Sequence, residues 1–452
     1  MYLPPNALYC IDRLEQAGFA CYAVGGCVRD ALLGLVPHDY DLCTAAPPDT
    51  VAHLFAGHTL VRSGERHGTI GVVVVGACYE ITTFRREGGY RDVRHPDWVS
   101  FVSDIREDLA RRDFTVNAIA WSPTRGYADP FGGQEDLRAG VLRAVGEPRQ
   151  RFCEDALRVL RGARFAVRYG LRVEAQTMQA MCQCAPELEK LAPERIFEEL
   201  CKLLPLVSAA DLHRFAPVLL CALPELANQP GFDQKNPHHH HDLFTHTART
   251  VQAVPPEPVL RWAALLHDVA KHACFSQDEA GIGHFYGHAE AGAAMAEEIL
   301  RRLRAPNALR ERVCLLIRQH MTPVEPTRPA VRRRLNRIGA EALRQLLSLQ
   351  QADMLATGTE EMCPAFDRVR ELIDRLEEEN ACLTVRDLAL SGHDLLDMGY
   401  RGPAIGRVQR QLLELVLEEK TENTAAALTA ALSGPDFPLR EDGPETTGGQ
   451  NL

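Results

Sequence analysis

The sequence lacks any long, uninterrupted apolar run, and its first residues show no charged-then-apolar signal peptide. A membrane-spanning helix needs about 20 apolar residues in a row, so we expect no membrane contact. Fourteen cysteines are present, but none stands in a paired C-x-x-C spacing. We therefore expect reduced thiols in a cytoplasmic protein.

An excess of basic residues is also missing, because the formal net charge is −11. Taken alone, this balance argues against a nucleic-acid partner. Charge summed over a multidomain chain is a poor guide, however, since one basic face is enough to bind RNA. The arginines do cluster, at 85–112 and 143–168. With 452 residues, 46% of them hydrophobic and 25% charged, the chain is long enough for several globular domains.

The stretch 22–44, YAVGGCVRDALLGLVPHDYDLCT, carries the densest chemistry. A short apolar strand leads into Gly25 and Gly26, and glycines there let backbone N–H groups approach a phosphate closely. A short helix is predicted over 27–33. Its N-terminal end and Arg29 are suited to bind an anion. The stretch therefore predicts a phosphate-binding turn.

Two carboxylates follow that turn. Asp39 and Asp41 lie two positions apart in a predicted strand, so they point to the same face. Carboxylate oxygens suit Mg²⁺ better than zinc, and two such ions activate an attacking hydroxyl and stabilise leaving pyrophosphate. Glu80, on a later predicted strand, is either a third metal ligand or a solvated glutamate. Each motif alone is common, whereas the order strand, glycine turn, arginine helix and D-x-D strand is specific.

This order, GG-x-V-R-D-x-L-L-G followed by D-x-D, resembles the signature of polymerase-β-type nucleotidyltransferases, specifically class II tRNA CCA-adding enzymes and bacterial poly(A) polymerases. The resemblance covers about residues 20–430. It implies an α+β chain whose head has a small mixed sheet with helices and is followed by helical domains. The implied parts are a catalytic head (1–140), a helical neck that binds nucleotide and RNA (141–210), a helical HD-type body (211–355), a helical tRNA-binding tail (356–433) and a disordered C-terminus (434–452).

The segment RRDFTVNA at 111–118 resembles the next motif of that family. The resemblance implies that Arg112 contacts the nucleotide, while Asp113 and Asn117 hold the surrounding loop and the sugar region. The alternative is a helix cap at Asp113 with a structural asparagine. Residues 85–98 mix glycine, proline and arginine and are predicted to form a mobile basic loop, which either orders over substrate or stays solvated.

Residues 152–168 (FCEDALRVLRGARFAVR) are predicted to form one helix with a shared polar face. That face carries Asp155, Arg158, Arg161, Arg164 and Arg168. Such a face is usually a solvated stripe. Asp155 only accepts hydrogen bonds and Arg158 only donates them, however, which suits cytosine and adenine but leaves uracil and guanine mismatched.

The helix also resembles the E-D-x-x-R motif of the family, in which the aspartate and arginine act as a protein template for CTP and ATP. Arg161 and Arg164 are then expected to face the triphosphate or the RNA backbone. Residues 191–204 (LAPERIFEELCKLL) resemble the following motif. Glu194, Arg195 and Glu198 are expected to brace the neck helix.

A second constellation has the order H…HD…H…H…D on predicted helical segments and resembles the HD metal-dependent phosphohydrolase superfamily. Its members are His246, His267, Asp268, His288, His320 and Asp353. Imidazole and carboxylate ligands fit a transition metal or Mg²⁺. Either these residues hold a second divalent metal, or the domain is a degenerate HD fold kept as an RNA-binding scaffold.

Together the resemblances imply a tRNA nucleotidyltransferase. It would add C, C and A to tRNA 3′ ends from CTP and ATP without a nucleic-acid template, using Mg²⁺ and releasing pyrophosphate. Within the same family, a poly(A) polymerase or a CC- or A-only enzyme is the alternative. Outside it, the chain is either an HD phosphohydrolase acting on RNA ends or a non-catalytic RNA-binding protein. The oligomeric state is left open.

Overall fold

The computed structural model describes residues 1–90, 96–236, 240–358, 364–434 and 437. The chain divides into two compact units. The first unit contains Met1–Pro230 and Glu298–Pro306, and the second contains Gly231–Glu297 and Asn307–Leu452. The expected head and neck both fall within the first unit, while the finer five-part division stays a prediction.

A seven-stranded mixed sheet in the first unit confirms the α+β class. The first nine strands are β1 (Cys21–Val24), β2 (Leu42–Thr44), β3 (Thr59–Val61), β4 (Thr69–Val74), β5 (Ala77–Thr83), β6 (Arg85–Tyr90), β7 (Pro96–Phe101), β8 (Ala120–Ser122) and β9 (Gly126–Ala128). The order in the sheet is β3-β4-β5-β2-β1-β8-β9. Strands β2 and β5 are parallel, and the other neighbours are antiparallel. All four residues of β1 are buried, as expected of a short apolar strand at the sheet centre.

Five helices accompany this sheet: α1 (Pro5–Gln16), α2 (Gly26–Leu32), α3 (Pro48–Leu54), α4 (Ile105–Ala110) and α5 (Gly133–Arg138). The buried residues of α1 recur at helical spacing and include Ala7, Ile11 and Leu14, so this helix covers the sheet with one apolar face. One buried cluster joins β1 to Phe84, Leu109 and Ala118. It fixes the strand that leads into the glycine turn.

The predicted loop over residues 85–98 is wrong where the structure describes it. Strands β6 and β7 pair as an antiparallel hairpin in which Arg85 lies opposite Phe101. Gly88 lies opposite Trp98, and a Cβ at Gly88 would stand 2.5 Å from the Trp98 ring. The glycine that suggested a loop therefore allows a close cross-strand approach. The middle of the predicted loop, residues 91–95, lies outside the described residues.

The predicted single helix over 152–168 is also wrong, because Asp155 interrupts it. Helix α6 (Pro148–Glu154) ends before Asp155, whose backbone is extended (φ −146°, ψ 103°), and α7 (Leu157–Tyr169) begins after it. The Asp155 carboxylate accepts a hydrogen bond from the backbone N–H of Leu157 at 3.1 Å. An aspartate side chain that bonds to a nearby backbone N–H competes with the helical conformation, and here it accompanies the break between α6 and α7.

The rest of the first unit is helical apart from a two-stranded parallel pair, β10 (Val141–Leu142) and β11 (Arg172–Val173). Its remaining helices are α8 (Ala175–Cys184), α9 (Pro193–Leu203), α10 (Ala209–Arg214) and α11 (Ala216–Ala222). Helix α9 packs along α7 and presents Ile196, Leu200 and Leu203 to the core.

The second unit is helical with one small hairpin, β12 (Ser276–Gln277) and β13 (Gly283–His284). Its helices are α12 (Leu243–Ala253), α13 (Pro258–Leu266), α14 (His288–Arg302, whose last turn belongs to the first unit), α15 (Asn307–Gln319), α16 (Arg328–Ile338), α17 (Ala340–Ala356), α18 (Pro364–Glu378), α19 (Gly392–Asp397), α20 (Pro403–Leu417) and α21 (Ala425–Ala431). Leu395, Tyr400 and Leu412 help to form a separate core near the C-terminus.

Among the described residues, none of the helices has the length and apolar character needed to cross a membrane. The predicted disordered segment, 434–452, lies almost entirely outside the described residues.

Candidate active-site cleft and histidine cluster

A cleft of about 500 Å³ in the first unit brings together twelve of the predicted site residues. They are Gly25, Gly26, Arg29, Asp39, Asp41, Arg112, Asp113, Asn117, Asp155, Arg158, Arg161 and Arg164. Further arginines in the wall include Arg168 and Arg195. Because arginines outnumber carboxylates in the wall, the cleft suits a ligand that carries several negative charges.

Asp39 and Asp41 are both exposed to the cleft. Strand β2 begins only at Leu42, so the predicted strand over 38–42 is wrong for its first residues. The backbone N–H of Val24 nevertheless donates to the carbonyl oxygen of Asp41 at 3.0 Å, which extends the β1–β2 pairing by one residue. The backbone of Asp41 is thereby fixed directly before strand β2.

Desolvation of its carboxyl by the surrounding cleft wall and the nearby charge of Asp39 raise the pKa of Asp41 to about 6, with Glu80 contributing and Arg112 opposing. Glu80 is exposed on β5, where Ile81 lies opposite Leu42. It does not line the cleft itself, but its charge reaches Asp41. This repulsion between carboxylates fits a site for a hard divalent cation, which would neutralise them.

The glycine turn connects β1 to α2. Gly25 has φ of +78°, and a Cβ there would stand 2.7 Å from Nη1 of Arg112. Its backbone N–H donates to the carbonyl oxygen of Ile119 at 3.0 Å. Glycine is required at this position both for the backbone conformation and for the close approach of the arginine.

Arg29 is buried beneath this turn. Its Nη1 donates to Oδ1 of Asn117, its Nε donates to Oδ1 of Asp30 at 2.9 Å, and its Nη2 donates to the Tyr169 hydroxyl. All three guanidinium nitrogens are thus engaged by the protein. The expected contact between Arg29 and a phosphate stays a prediction.

Asp113 links the 111–118 segment to α7. Its carboxylate accepts from the backbone N–H of Phe114 at 2.9 Å, from Nδ2 of Asn117 at 3.0 Å and from Nε of Arg161 at 2.8 Å. Burial opposes ionisation, but Arg161 and Asn117 outweigh it and lower the pKa of Asp113 to about 2. No helix is capped by Asp113, because only a short 3₁₀ turn, Thr115–Asn117, follows it.

The proposed base-reading pair lies at the break between α6 and α7. Arg195 of α9 donates to both carboxylate oxygens of Asp155, at 3.2 and 2.9 Å. Arg158 donates to Oε2 of Glu154 at 2.9 Å and to the carbonyl oxygens of Arg151 and Arg111 at 3.1 and 3.0 Å. Both groups are therefore held in fixed positions by internal partners.

Sequence reasoning missed two side chains in this region. Glu199 of α9 is buried and pairs with Arg164, whereas Glu194 pairs with the exposed Arg304. Tyr169, at the end of α7, contacts Arg29. The spacing of Arg195 and Glu199, four residues apart on a helix, was the available signal that both face α7.

The second unit gathers the six residues of the HD-type pattern into one buried cluster. In one group, Nε2 of His246 lies 3.2 Å from Nε2 of His267, 3.0 Å from Oδ1 of Asp353 and 3.3 Å from Oδ2 of Asp268. The second group has Nε2 of His288 at 3.3 Å from Nε2 of His320, with Asp268 contributing to both groups.

Three of these histidines direct Nε2 into the cluster and use Nδ1 to bond to the backbone. Nδ1 of His267, His288 and His320 bonds to a backbone carbonyl oxygen at 2.8, 2.7 and 2.6 Å respectively. A protonated Nδ1 leaves the lone pair on Nε2, as in metal-binding histidines. Burial opposes protonation of His267, but Asp268 outweighs it and raises the pKa to about 10, so a bound cation would replace the Nε2 proton of this ring. Burial and His267 lower the pKa of His320 to about 4. The donor set fits a divalent transition metal.

A second groove, of about 620 Å³, lies in the second unit between α16 and α20. Its rim carries Arg333, Arg334, Arg337 and Arg410 together with Glu325 and Glu414, and its floor includes Val324, Leu413 and Leu417. Burial and the neighbouring Arg337 lower the pKa of Arg334. Within the described part of the chain, neither Arg337 nor Arg410 has an ion-pair partner, so the groove retains uncompensated positive charge.

Three family models match the chain. The poly A polymerase head domain matches residues 21–143, the probable RNA and SrmB- binding site of polymerase A matches 170–210, and the HD domain matches 245–390. The head-domain match contains the glycine turn, the D-x-D pair and the 111–118 segment. The HD-domain match contains all six members of the histidine cluster.

A CCA-adding enzyme of Latilactobacillus sakei subsp. sakei (strain 23K) is 35% identical over 429 residues, which cover 94% of this chain and 97% of that enzyme. Another, from Leuconostoc mesenteroides, is 48% identical over 194 residues, so the match spans 43% of this chain and about half (48%) of that enzyme. Among solved structures, the Bacillus stearothermophilus CCA-adding enzyme in complex with CTP superposes with a TM-score of 0.71 at 29% identity and covers 95% of this chain and 98% of that one.

Proposed function

The chain belongs to the CCA-adding enzyme family, and we propose that it adds C, C and A to the 3′ ends of tRNA from CTP and ATP, with release of pyrophosphate. The observation that carries this proposal is a single cleft lined both by Asp39 and Asp41 and by Asp155 and Arg158. Groups for nucleotidyl transfer and groups for reading a base thus share one site. A protein pair that reads the base makes a nucleic-acid template unnecessary.

Asp39 and Asp41, with Glu80 beside them, are the residues we expect to hold Mg²⁺. When bound at such a site, the ions activate the attacking hydroxyl and stabilise the leaving pyrophosphate. The carboxylates themselves contribute the negative charge: Asp41 directly precedes β2, and Glu80 lies on the adjacent parallel strand β5. The turn at Gly25 and Gly26 leaves open backbone beside them for a phosphate.

The arginine-rich wall of the cleft is the expected triphosphate site. Arg112 lies over the glycine turn, and Arg168 is exposed on the last turn of α7. A guanidinium forms paired hydrogen bonds to phosphate oxygens and stays charged at any working pH. The buried Arg29 and Arg164 and the partly exposed Arg161 are held by carboxylate partners and give this wall its shape.

Base choice is assigned to Asp155 and Arg158. Cytosine and adenine each present an amine donor beside a ring-nitrogen acceptor, whereas uracil and guanine present a carbonyl beside an N–H donor. An acceptor from Asp155 and a donor from Arg158 satisfy the first pattern and leave the second with unpaired groups. A site built in this way discriminates by factors of about 10⁴ or more.

Arg158→Ala tests this assignment. The variant should incorporate UTP far more readily relative to CTP, because the donor that rejects uracil is gone. Arg168→Ala is the matched control, since it removes a positive charge from the same cleft without touching Asp155, and it should weaken all nucleotides alike. If Arg158→Ala rejects UTP as well as the wild type does, the assignment is wrong.

The activity itself is tested with one tRNA that ends at the discriminator base. With Mg²⁺, CTP alone should add two residues and ATP should add a third only after them. Long products with ATP alone would identify a poly(A) polymerase, and two C additions without A would identify a CC-adding enzyme. UTP and GTP are the negative controls.

The tRNA partner is expected to bind partly at the arginine groove between α16 and α20. Its rim arginines suit backbone phosphates, and its apolar floor suits ribose and base surfaces. The triple variant Arg334→Ala, Arg337→Ala, Arg410→Ala should weaken tRNA binding and reduce the slope of log K against log salt by about 3. Alanines at Arg368, Arg375 and Arg386 remove the same charge from exposed positions outside this groove, and their slope should stay closer to the wild type. If the two triple variants had the same salt dependence, the assignment of this groove to tRNA binding would be wrong.

The histidine cluster supports a second candidate function, a metal-dependent phosphohydrolase acting on phosphate esters such as RNA ends. The observation favouring it is the convergence of four Nε2 atoms and two carboxylates in one buried site. Asp268→Ala should abolish phosphate release and spare nucleotide addition, whereas Asp39→Ala should do the reverse. Loss of both activities in either variant would argue against two separate sites.

A further inference from the structure

Tyr169, the last residue of α7, reaches across to α2. Its hydroxyl accepts a hydrogen bond from Nη2 of Arg29 at 2.5 Å and donates one to Oδ1 of Asp30 at 3.0 Å. The guanidinium carbon of Arg29 lies 4.3 Å from the centre of the Tyr169 ring and 5.2 Å from that of Phe165, one turn earlier. Helix α7 therefore holds Arg29 by two rings and one hydroxyl.

The charges that Tyr169 contacts are buried. Arg29 is 5% exposed and Asp30 is 8% exposed. Oδ1 of Asp30 accepts from Nε and Nη2 of Arg29 at 2.9 and 2.7 Å as well as from the tyrosine. Arg29 also donates to Asn117 from the side of the glycine turn, and the hydroxyl from α7 fixes the pair from the opposite helix. Such charge-assisted bonds are directional and stronger than neutral ones.

The opposite end of α7 carries the base-reading groups. Arg158 in the first turn donates to the carbonyl oxygen of Arg111, and Arg161 in the next turn pairs with Asp113. Tyr169 makes a third attachment, eight residues after Arg161. Since a helix rises about 1.5 Å per residue, Leu157, the first residue of α7, stands roughly 6 Å from Arg161 along the axis, and Asp155 directly precedes this end of the helix. A tilt of about 10° around Arg161 would shift this end by about 1 Å, enough to reduce catalysis about a hundredfold.

We infer that Tyr169 is a positioning residue for nucleotide selection, an inference that rests on the proposed function. It touches Arg29 and Asp30 rather than substrate. By fixing the far end of α7 to α2, it sets the direction in which Asp155 and Arg158 face the carboxylates of the same cleft. The base-reading geometry is thereby coupled to the glycine turn at a position outside every motif of the sequence.

Two variants separate the parts of this attachment. Tyr169→Phe keeps the ring over Arg29 and removes the hydroxyl, whereas Tyr169→Leu removes both. For addition to a tRNA lacking its terminal CCA, the ratio of kcat/KM for CTP to that for UTP should fall about tenfold in Tyr169→Phe, the factor for one hydrogen bond to a charged group. It should fall further in Tyr169→Leu. Tyr127→Phe, at an exposed tyrosine on β9, is the matched control and should leave the ratio unchanged.

A purely structural tyrosine would behave differently. Both variants would then lower Tm while the CTP-to-UTP ratio stayed at the wild-type value, and that result would overturn the inference. In an Asp30→Asn background, Tyr169→Phe should have a smaller effect than in the wild type, because the two groups share one bond; additive effects would also overturn it. A wild-type protein that extends no tRNA would refute the proposed function first, and the inference with it.

Discussion

The ion pair between the buried Asp113 and the partly exposed Arg161 offers a test of how α7 is joined to the 111–118 segment. Asp113→Asn keeps the size of the side chain and removes its charge. The amide oxygen can still accept from Phe114 and Asn117, but the amide NH₂ then faces the guanidinium, and two donors meet. The variant therefore breaks the bond to Arg161 with little change in packing.

The magnitude follows from the pKa of Asp113, which is lowered from 3.8 to about 2. A shift of this size corresponds to about 2 kcal/mol of stability near neutral pH. Breaking a buried pair costs about 3–5 kcal/mol, but Arg161 keeps 36% of its side chain in solvent, which reduces the penalty. We expect Asp113→Asn to lower the free energy of unfolding of the first unit by about 2–3 kcal/mol.

The assay is hydrogen exchange at amides 111–122 as a function of urea, because it reports the first unit without the second. Asp104→Asn is the control: Asp104 is exposed and caps α4, and asparagine caps as well as aspartate. Since the folded-state pKa of Asp113 is lowered, its stabilisation is complete above the unfolded value and is lost as the pH falls towards 2. The difference between wild type and variant should be constant from pH 8 to 5 and should narrow below pH 4. A difference that does not narrow, or a variant as stable as the control, would refute this reasoning.

Three further predictions concern the two sites. Gly25→Ala places a methyl group against Arg112 and should raise KM for nucleotide about tenfold, while its backbone conformation (φ +78°, ψ −123°) should cost about 1–3 kcal/mol of stability. Gly76→Ala, also at positive φ but in open space, should lower stability without changing KM. Equal KM values in both variants would contradict the role of Arg112. Because metal ligands must be ionised and the pKa of Asp41 is about 6, the affinity for Mg²⁺ should fall about tenfold per pH unit below 6; titration calorimetry between pH 5 and 8 checks this, and a flat profile would count against Asp41 as a ligand. Asp268→Ala should lower the metal content of purified protein measured by mass spectrometry, and an unchanged content would exclude the histidine cluster as a metal site.

The local parts of the candidate site could be predicted from sequence because each lies within a few residues. The glycine turn, the D-x-D pair and the Asp155–Arg158 spacing are all short-range patterns. The side chains that hold these groups in place could not be predicted, since Arg195 is 40 residues from Asp155 and Tyr169 is 140 residues from Arg29. Such contacts depend on how helices pack, which no local spacing encodes.

The errors in the fold have a similar origin. Residues 85–98 were predicted to be a loop because glycine and proline weaken strands, yet the space that Gly88 leaves is filled by Trp98 of the partner strand. The single helix over 152–168 was predicted because polar residues recur at helical spacing throughout it. The spacing does not show that the Asp155 carboxylate bonds to the backbone N–H of Leu157, where the helix is broken. The α+β class was predicted from the resemblance to polymerase-β-type nucleotidyltransferases, which depends on the glycine turn and the D-x-D pair, two patterns that each lie within a few residues.

The bidentate contact between Arg195 and Asp155 means that this carboxylate is already paired before any nucleotide arrives. A carboxylate oxygen has two lone pairs, so Oδ2 can accept one further hydrogen bond while it keeps its bond to Arg195. In the proposed function, the amine of cytosine or adenine therefore bonds to an oxygen whose position is already set, and the contact with Arg195 stays intact. The entropy of orienting Asp155 is then lost once, when the chain folds, rather than each time a nucleotide binds.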